Sequence, residues 1–349
     1  MQSFDVTPPR RARRGLRWAL AVVAVLVVVA VIGAFTIPLD SYFVYVPGPI
    51  RNVENLVHVK GAKTYPSQGS LSLTTVRIDQ QPTLFALVQA GLDPKEEVVS
   101  VSSLGGNQSQ NQLEHTFQVQ MRESKRAAVE TALGQLGYPP ATGKGAKVVA
   151  TIAGFGAKGK IKSGEIITAI DGHHVGTACR LDSYMSTRKV GQVVHITLRS
   201  GDKTRHVTVK TQRNTEVPGG HPLIGVEITT AHYHFDPGVQ VSVDTGDIGG
   251  PSAGNMMALA IYDRLTPGDL TKGWEIAGTG TIDSCHGKVG PIGGVEEKVA
   301  AAEAKGMQIF LTPTADAADA RKVANDIRIV PINSFSQALS YLENLHPHS

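Results

Sequence analysis

Hydrophobic and polar positions divide this 349-residue chain into three kinds of region. Residues 18–37, WALAVVAVLVVVAVIGAFTI, carry no charged side chain, and a helix of that length crosses the roughly 30 Å of bilayer hydrocarbon. From residue 41 to about residue 125, short apolar stretches alternate with Gly, Pro and Asn turns, which predicts strands joined by loops. After about residue 223, apolar runs of strand and helix length alternate, which predicts an α/β or α+β domain.

The same pattern predicts individual elements in the rest of the chain. A helix is expected over residues 123–136, ended by Gly137. Strands are expected at residues 147–153, 165–170, 193–198, 206–210, 223–229, 240–244, 274–281, 308–312 and 326–332. Further helices are expected at residues 180–189, 253–262, 295–305, 315–324 and 334–344. The polar segment 212–222 is predicted to be a linker between two domains.

The net charge of +4 arises from Asp5 and five arginines just before the apolar run, Arg10, Arg11, Arg13, Arg14 and Arg17. Basic and acidic residues balance in the remainder, so no basic face for nucleic acid is expected. The arginines favour a cytoplasmic N terminus, which predicts that the chain beyond Asp40 is extracytoplasmic. A cleaved signal peptide is the alternative, but its apolar region is normally only about 7–15 residues long.

Two cysteines and several histidines are candidates for disulfide formation or metal binding. An extracytoplasmic location permits disulfides, but Cys179 and Cys285 fall in different predicted domains, so both are predicted to be free thiols. His173-His174 and the pair His232 and His234 lack Cys or carboxylate companions at ligand spacing. We therefore expect no metal and no cofactor.

Residues 161–175, IKSGEIITAIDGHHV, resemble the signature of PDZ domains, in which a leader enters a strand that ends in an Asn/Asp-Gly turn. The resemblance implies a mainly β domain that binds peptides by strand addition at an exposed sheet edge. It does not place the carboxylate-binding loop. The nearby segment Gly154–Ile161 almost matches a phosphate-binding loop, but Ile161 lacks the hydroxyl that would bind magnesium, so no ATPase module is predicted.

Ser252 stands in a Gly/Pro-rich turn, Gly249-Gly250-Pro251-Ser252-Ala253-Gly254, directly before an apolar helix. Unpaired N–H groups at a helix start can stabilise an oxyanion, and we assign that role to the backbone at Gly250 and Pro251. Ser is also a common helix cap, so this turn alone favours a structural role.

Lys298 lies in the first turns of a later predicted helix, within Pro291-Ile292-Gly293-Gly294-Val295-Glu296-Glu297-Lys298. Its apolar neighbours Val295 and Val299 predict that it borders a buried face. Burial lowers the pKa of a lysine from its usual value of about 10.4. A neutral Lys298 could therefore take a proton from Ser252. Lys288 is a second candidate base, although it follows His286-Gly287 in a predicted turn, which favours a solvated charge.

Both segments match the proteolytic domain of Lon proteases, which the region from residue 216 to 349 resembles. The resemblance implies that Ser252 is the nucleophile, that Lys298 is the general base, and that Thr279 in Ala277-Gly278-Thr279-Gly280 supports this dyad. It also implies a homo-oligomer, for which the family favours a hexamer. Lon enzymes commonly carry Asp three residues before the serine, where this chain has Gly249. The family's ATPase module is absent from the sequence, which is similar in layout to bacterial membrane-anchored PDZ–Lon proteins.

The predicted organisation is a basic cytoplasmic arm (1–17), a transmembrane helix (18–37), an extracytoplasmic β-rich segment (40–125), a PDZ-like domain (126–213) and an α/β (α+β) Lon-type domain (216–349). The β-rich segment is either a stalk or part of the next domain. Our leading hypothesis is a single-pass serine endopeptidase of the cell membrane that cleaves unfolded or membrane-proximal polypeptides without ATP. The alternatives are an inactive membrane-tethered PDZ adaptor and a protein that cleaves only itself.

Overall fold

The computed structural model describes residues 10–104, 110–213 and 222–348. Most of the predicted linker at 212–222 and the first nine residues of the basic arm lie outside this part of the chain. The first helix, α1, runs over Arg10–Thr36. Its segment Trp18–Thr36 is long and apolar enough to cross a membrane, and none of it is buried against the rest of the protein. A signal sequence would pass the same test of length and composition.

The remaining helices and strands follow in chain order. The helices are α2 (Leu84–Ala90), α3 (Gln110–Gln135), α4 (Ala178–Ser186), α5 (Gly254–Leu265), α6 (Val295–Ala304), α7 (Ala317–Val323) and α8 (Phe335–Glu343). The strands are β1 (Tyr42–Asn52), β2 (Val57–Lys60), β3 (Ser70–Asp79), β4 (Glu97–Ser100), β5 (Ala146–Thr151), β6 (Ile166–Ile170), β7 (His173–His174), β8 (Val193–Ser200), β9 (Lys203–Lys210), β10 (Val226–Thr230), β11 (Gln240–Val243), β12 (Glu275–Gly278), β13 (Thr281–Ile282), β14 (Val289–Gly290), β15 (Ile309–Pro313) and β16 (Arg328–Ile332).

The larger sheet is mixed, with six strands in the order β16-β15-β12-β3-β1-β4. The strands from β16 to β3 are parallel, and β1 and β4 extend the sheet in antiparallel fashion. Helices α3, α5 and α8 share one hydrophobic core on one face. Helices α6 and α7 share a second core on the other face, which includes Phe310 of β15. This three-layer arrangement is the α/β domain that the sequence predicts.

The β-rich segment 40–125 is part of this layered unit rather than a stalk. Its strand β3 pairs in parallel with β12, so that Leu71 lies beside Ile276, about two hundred positions later in the chain. Strand β2 likewise pairs with β11. Because these strands share one core with α5, the protease region needs residues on both sides of the PDZ-like region to complete its sheet.

The PDZ-like unit is a second sheet, in the order β10-β5-β6-β8-β9, with α4 packed against its core. Its boundaries differ from those that the sequence suggested. Strand β10, which we had placed in the protease domain, pairs with β5, whereas α3 packs on α5 of the protease unit. A bridge between Thr142 and His234 lies where the chain enters and leaves this sheet. The PDZ-like unit is therefore inserted into the protease fold.

The prediction of free thiols is wrong, because Cys179 and Cys285 form a disulfide with a Cα–Cα distance of 5.0 Å. Cys179 lies on α4, and Cys285 lies in the loop between β13 and β14. That loop also places the His286 ring 3.4 Å from Asp182 of α4. The two cysteines do lie in different domains. These domains pack against each other at this point, so the disulfide links them.

Candidate active site

Ser252 lies in the turn between β11 and α5, and its backbone is held by the segment that directly follows β12. The carbonyl oxygen of Ser252 accepts hydrogen bonds from the Gly280 N–H at 2.7 Å and from the Thr279 hydroxyl at 3.1 Å. Thr279 is completely buried at the end of β12. The threonine that the sequence analysis selected thus contacts the serine through its backbone, which fixes the position of the serine rather than its hydroxyl.

Lys298 lies one turn into α6, and only 2% of it is exposed. Gly294, which caps this helix, has a φ of 68° and so adopts a left-handed conformation that favours glycine. The Lys298 Nζ donates to the Ser252 Oγ at 3.2 Å and to the Gly293 carbonyl oxygen at 2.9 Å. The two motifs, 46 positions apart in sequence, therefore meet in one site.

The surroundings of Lys298 favour its neutral form. Burial lowers the pKa of its amine to about 8, while the carboxylates of Asp316 and Glu297 oppose this effect. Asp316 is held in place because its Oδ2 accepts a hydrogen bond from the Ile292 N–H at 3.0 Å. No motif in the sequence singles out Asp316, because it approaches Lys298 only through the packing of α6 against the chain before α7.

The backbone groups assigned to the oxyanion are not available, so that assignment is corrected. Proline has no N–H, so Pro251 has nothing to donate. The Gly250 N–H donates to the Phe117 carbonyl oxygen at 2.8 Å. Among the described residues, no group accepts a hydrogen bond from the N–H of Ser252 or Ala253. Both N–H groups lie at the start of α5, where the helix leaves its first amides without internal partners.

Helix α3 supports the turn that carries the serine, a role that sequence reasoning missed. Besides the contact from Phe117, the Gln118 side chain donates to the Asp247 carbonyl oxygen at 3.1 Å. The Ser124 hydroxyl donates to the Pro251 carbonyl oxygen at 2.9 Å, and Ser124 is only 5% exposed. Gly249 permits this close approach, because a Cβ there would lie 2.8 Å from the Phe117 Cβ. Three contacts from one helix thus hold residues 247–251.

Glu297 precedes the lysine and is almost completely buried, with 1% exposure. Neither of its carboxylate oxygens has a hydrogen-bond partner among the described residues. Burial, reinforced by repulsion from Glu97 and Glu296, raises the pKa of Glu297 to about 7. No motif in the sequence indicates that this side chain is buried, because the packing of α6 decides it.

A cleft of about 940 Å³ opens over Ser252 and Lys298. It lies along β1 and β3 on one side and the 245–251 turn on the other. Its walls are largely apolar, with two arginines, and include Tyr45, Arg51, Val76, Arg77, Ile78, Phe117, Met121 and Ile248. The shape and the lining suit an extended peptide with apolar side chains.

The other candidates from the sequence lie elsewhere. Lys288 bridges to Ser334, and it does not line the cleft. Within the described ranges, no group of three or more His, Cys, Asp or Glu residues is arranged to hold a metal ion.

Two family models match the chain. The Lon protease (S16) C-terminal proteolytic domain matches residues 225–342, and the PDZ domain matches residues 114–211. The first match includes Ser252, Thr279 and Lys298.

Individual relatives match parts of this chain. The Lon protease of Roseiflexus castenholzii is 38% identical over 132 residues, which are 37% of this chain and 15% of that protein. The Lon protease of Chloroflexus aggregans is 32% identical over 117 residues, which are 32% of this chain and 13% of that protein. The chain thus spans only a small part of these relatives. The PDZ domain of an SdrC-like protein from Listeria monocytogenes is 27% identical, with a TM-score of 0.23, and the match covers 24% of this chain and 87% of that one. The chain therefore carries a PDZ domain followed by a Lon-type (S16) proteolytic domain, the domain of a family of serine endopeptidases.

Proposed function

We propose that this protein is a membrane-anchored serine endopeptidase in which Ser252 is the nucleophile and Lys298 is the general base. The observation that carries this proposal is the 3.2 Å contact between the Lys298 amine and the Ser252 hydroxyl in a buried position. A lysine whose pKa is lowered to about 8 is partly neutral near neutral pH, and a neutral amine can accept the serine proton.

The reaction then proceeds in two halves. The neutral Lys298 amine takes the proton from the Ser252 hydroxyl while the Ser252 Oγ attacks the carbonyl carbon of the scissile bond. The resulting oxyanion is stabilised by N–H groups at the start of α5, for which the amides of Ser252 and Ala253 are the candidates. As the intermediate collapses, the C–N bond breaks and the lysine ammonium gives its proton to the leaving amine. A water molecule, deprotonated by Lys298, then hydrolyses the acyl-enzyme and restores the serine.

The PDZ unit supplies a docking site for the substrate in this proposal. Strand β10 lies at one edge of its sheet, next to α4, so an extended peptide can add to that edge by main-chain hydrogen bonds. From β10 the chain continues through β11 directly to the turn that carries Ser252. A peptide bound at β10 would thus lie on the element that leads into the active site.

Helix α1 serves as the anchor, with the arginine-rich end in the cytoplasm and both domains outside it. A disulfide that links the two domains is consistent with this location, because disulfides persist in oxidising compartments. The expected substrates are unfolded or membrane-proximal polypeptides, cleaved without ATP. A homo-oligomer, for which a hexamer is the first candidate, is proposed from the likeness to Lon proteases alone.

The test is cleavage of unfolded casein by the full chain in detergent, with and without ATP, beside Ser252→Ala. Cleavage that requires Ser252 but not ATP would support the proposal. A serine-reactive phosphonate provides a second measurement on the same samples. Absence of both cleavage and labelling at Ser252 would favour a PDZ adaptor. Cleavage that survives in Ser252→Ala would contradict the assigned nucleophile.

A further inference from the structure

Helix α2 is a seven-residue segment, Leu-Phe-Ala-Leu-Val-Gln-Ala, with a single polar side chain. Its inner side, which includes the buried Ala90, packs on the protease unit. Its outer side is also apolar and faces away from the protein: Leu84 is 51%, Phe85 46% and Val88 55% exposed, and Leu92 just beyond the helix is 82% exposed. A helix that is apolar all round is normally buried on all sides. The inner side of α2 is covered by the protease unit, whereas its outer side is left without an apolar partner.

The position of α2 indicates what this neighbour is. The Phe85 ring stacks on the ring of Phe35, near the end of α1, with a centroid distance of 4.3 Å. The Leu39 N–H donates to the Pro82 carbonyl oxygen at 2.9 Å, and Pro38 bridges to Thr83. The start of α2 is therefore fixed beside the point where the chain leaves α1.

The depth of this point in a bilayer follows from the length of α1. The 19 residues of Trp18–Thr36 span about 28 Å as a helix, close to the roughly 30 Å of hydrocarbon. Phe35, which is itself 52% exposed, then lies at the outer boundary of the hydrocarbon. The polar sequence Asp93-Pro94-Lys95-Glu96 follows directly after Leu92, and marks where the chain returns to water.

We propose that α2 lies in the membrane interface, with Leu84, Phe85, Val88 and Leu92 inserted among the lipids of the outer leaflet. This inference rests on the proposed membrane anchor. The lipid bilayer is the partner because the outer side of α2 continues the lipid-facing surface of α1 through the Phe35 and Phe85 rings. A soluble protein partner is disfavoured, because it would have to displace lipid from a surface that lies at the membrane boundary beside α1.

The consequence is a fixed orientation of the protease on the membrane. Helix α2 contacts β1 and β4, which form one edge of the large sheet. Residues of β1 and β3 line the active-site cleft. If α2 is inserted, the edge of the sheet that borders the active-site cleft is held near the bilayer. The cleft can then receive polypeptide segments that emerge from the membrane.

The test uses the full chain in phosphatidylcholine vesicles, with a nitroxide spin label on Val88→Cys. The two native cysteines are paired, so the introduced cysteine is the one available for labelling in the described part of the chain. Collisions with molecular oxygen report a lipid environment, and collisions with a water-soluble nickel complex report water. Val29→Cys in α1 is the control within the bilayer, and Asp202→Cys in the turn between β8 and β9 is the control in water. Cleavage of a soluble peptide checks that each labelled protein remains folded.

The inference predicts that the label at 88 has fewer nickel collisions and more oxygen collisions than the label at 202, with a nickel access between those at 202 and 29, as expected for the membrane interface. Nickel collisions at 88 equal to those at 202, with 29 still protected, would overturn the inference and leave the anchor intact. Protection of 88 from both reagents would overturn it in favour of contact with a second copy of the chain. Nickel access at 29 as well would refute the anchor itself, and the inference with it.

Discussion

The serine side and the lysine side of the site are held by different forces. The turn that carries Ser252 receives hydrogen bonds from α3 and from Thr279 and Gly280, so its geometry is set by directional contacts from two separate segments. Lys298 donates to the Gly293 carbonyl oxygen, but its main surroundings are the packed interior around α6, next to the buried carboxyl of Glu297. The comparison teaches that the serine side is built for position and the lysine side for protonation state, since burial is what lowers the lysine pKa.

Replacing Lys298 should have the largest effect, because it removes the base and leaves the serine in place. Lys298→Ala should lower kcat by about a thousandfold, as expected for the loss of a general base. Lys298→Arg should be no more active, since a guanidinium remains protonated at any working pH. Initial rates on a fluorogenic peptide measure both. An arginine variant with more than a tenth of the original rate would show that Lys298 supplies only charge.

The pH dependence tests the protonation state directly. The pKa of Lys298 is lowered to about 8 by burial, and only the neutral amine accepts a proton. Below pH 8, kcat/KM should therefore fall about tenfold for each pH unit, and above pH 8 it should level off. A peptide without titratable side chains keeps the substrate constant. A flat profile between pH 6 and pH 9 would contradict a lysine base.

Glu297→Gln should change both the stability and the pH profile. Burial raises the pKa of Glu297 from 4.5 to about 7, so the contribution of this carboxyl to stability is fully present below its unfolded pKa of 4.5 and is lost as the pH rises through 7 and the buried carboxyl ionises. The glutamine variant should lack this loss and should be more stable at pH 8 by about 1–3 kcal/mol. Because the Glu297 carboxylate raises the pKa of Lys298, its removal should also move the kcat/KM profile to lower pH.

Thermal unfolding at pH 5 and pH 8 measures the first effect, and initial rates measure the second. Glu114→Gln is the control for the loss of a glutamate charge, since Glu114 is exposed on α3. Equal unfolding midpoints for wild type and Glu297→Gln at pH 8 would show that the Glu297 carboxyl is not destabilised by its position.

Much of the candidate site could be predicted from the sequence, because the turn with Ser252 and the helix start with Lys298 are each a local motif. Strand β8 and the helices α5 and α6 begin within one residue of their predicted positions, and β9 begins three residues early, since turn glycines and apolar periodicity are local signals. The pairing of β3 with β12 could not be predicted, because the apolar pattern of a strand does not indicate which other strand it pairs with. Helix α3 begins at Gln110 rather than at residue 123. Its first half is largely polar, and the helical spacing of Leu113, Phe117 and Met121 within it was overlooked.

The disulfide and the support from α3 were missed for one shared reason. Both depend on distances between segments that are far apart in sequence, 106 positions for the two cysteines and 127 for Ser124 and Pro251. Asp316 and the burial of Glu297 belong to the same class, because packing decides them. The two residues proposed as reacting groups, Ser252 and Lys298, were selected from local motifs, whereas the contacts that position them and shift the lysine pKa depend on tertiary packing.

Ser124→Ala should have the smallest effect, and it tests the serine side alone. The change removes the hydrogen bond from the Ser124 hydroxyl to the Pro251 carbonyl oxygen, which contributes about 1 kcal/mol. If that energy is used to hold the turn in its reactive position, kcat and the rate of phosphonate labelling should each fall about fivefold, with KM unchanged. Thr116→Ala is the matched control, because its hydroxyl bonds within α3 to the Gln112 carbonyl oxygen and does not reach the turn. A Ser124→Ala protein that loses thermal stability but keeps its labelling rate would show that Ser124 supports the fold and does not position Ser252.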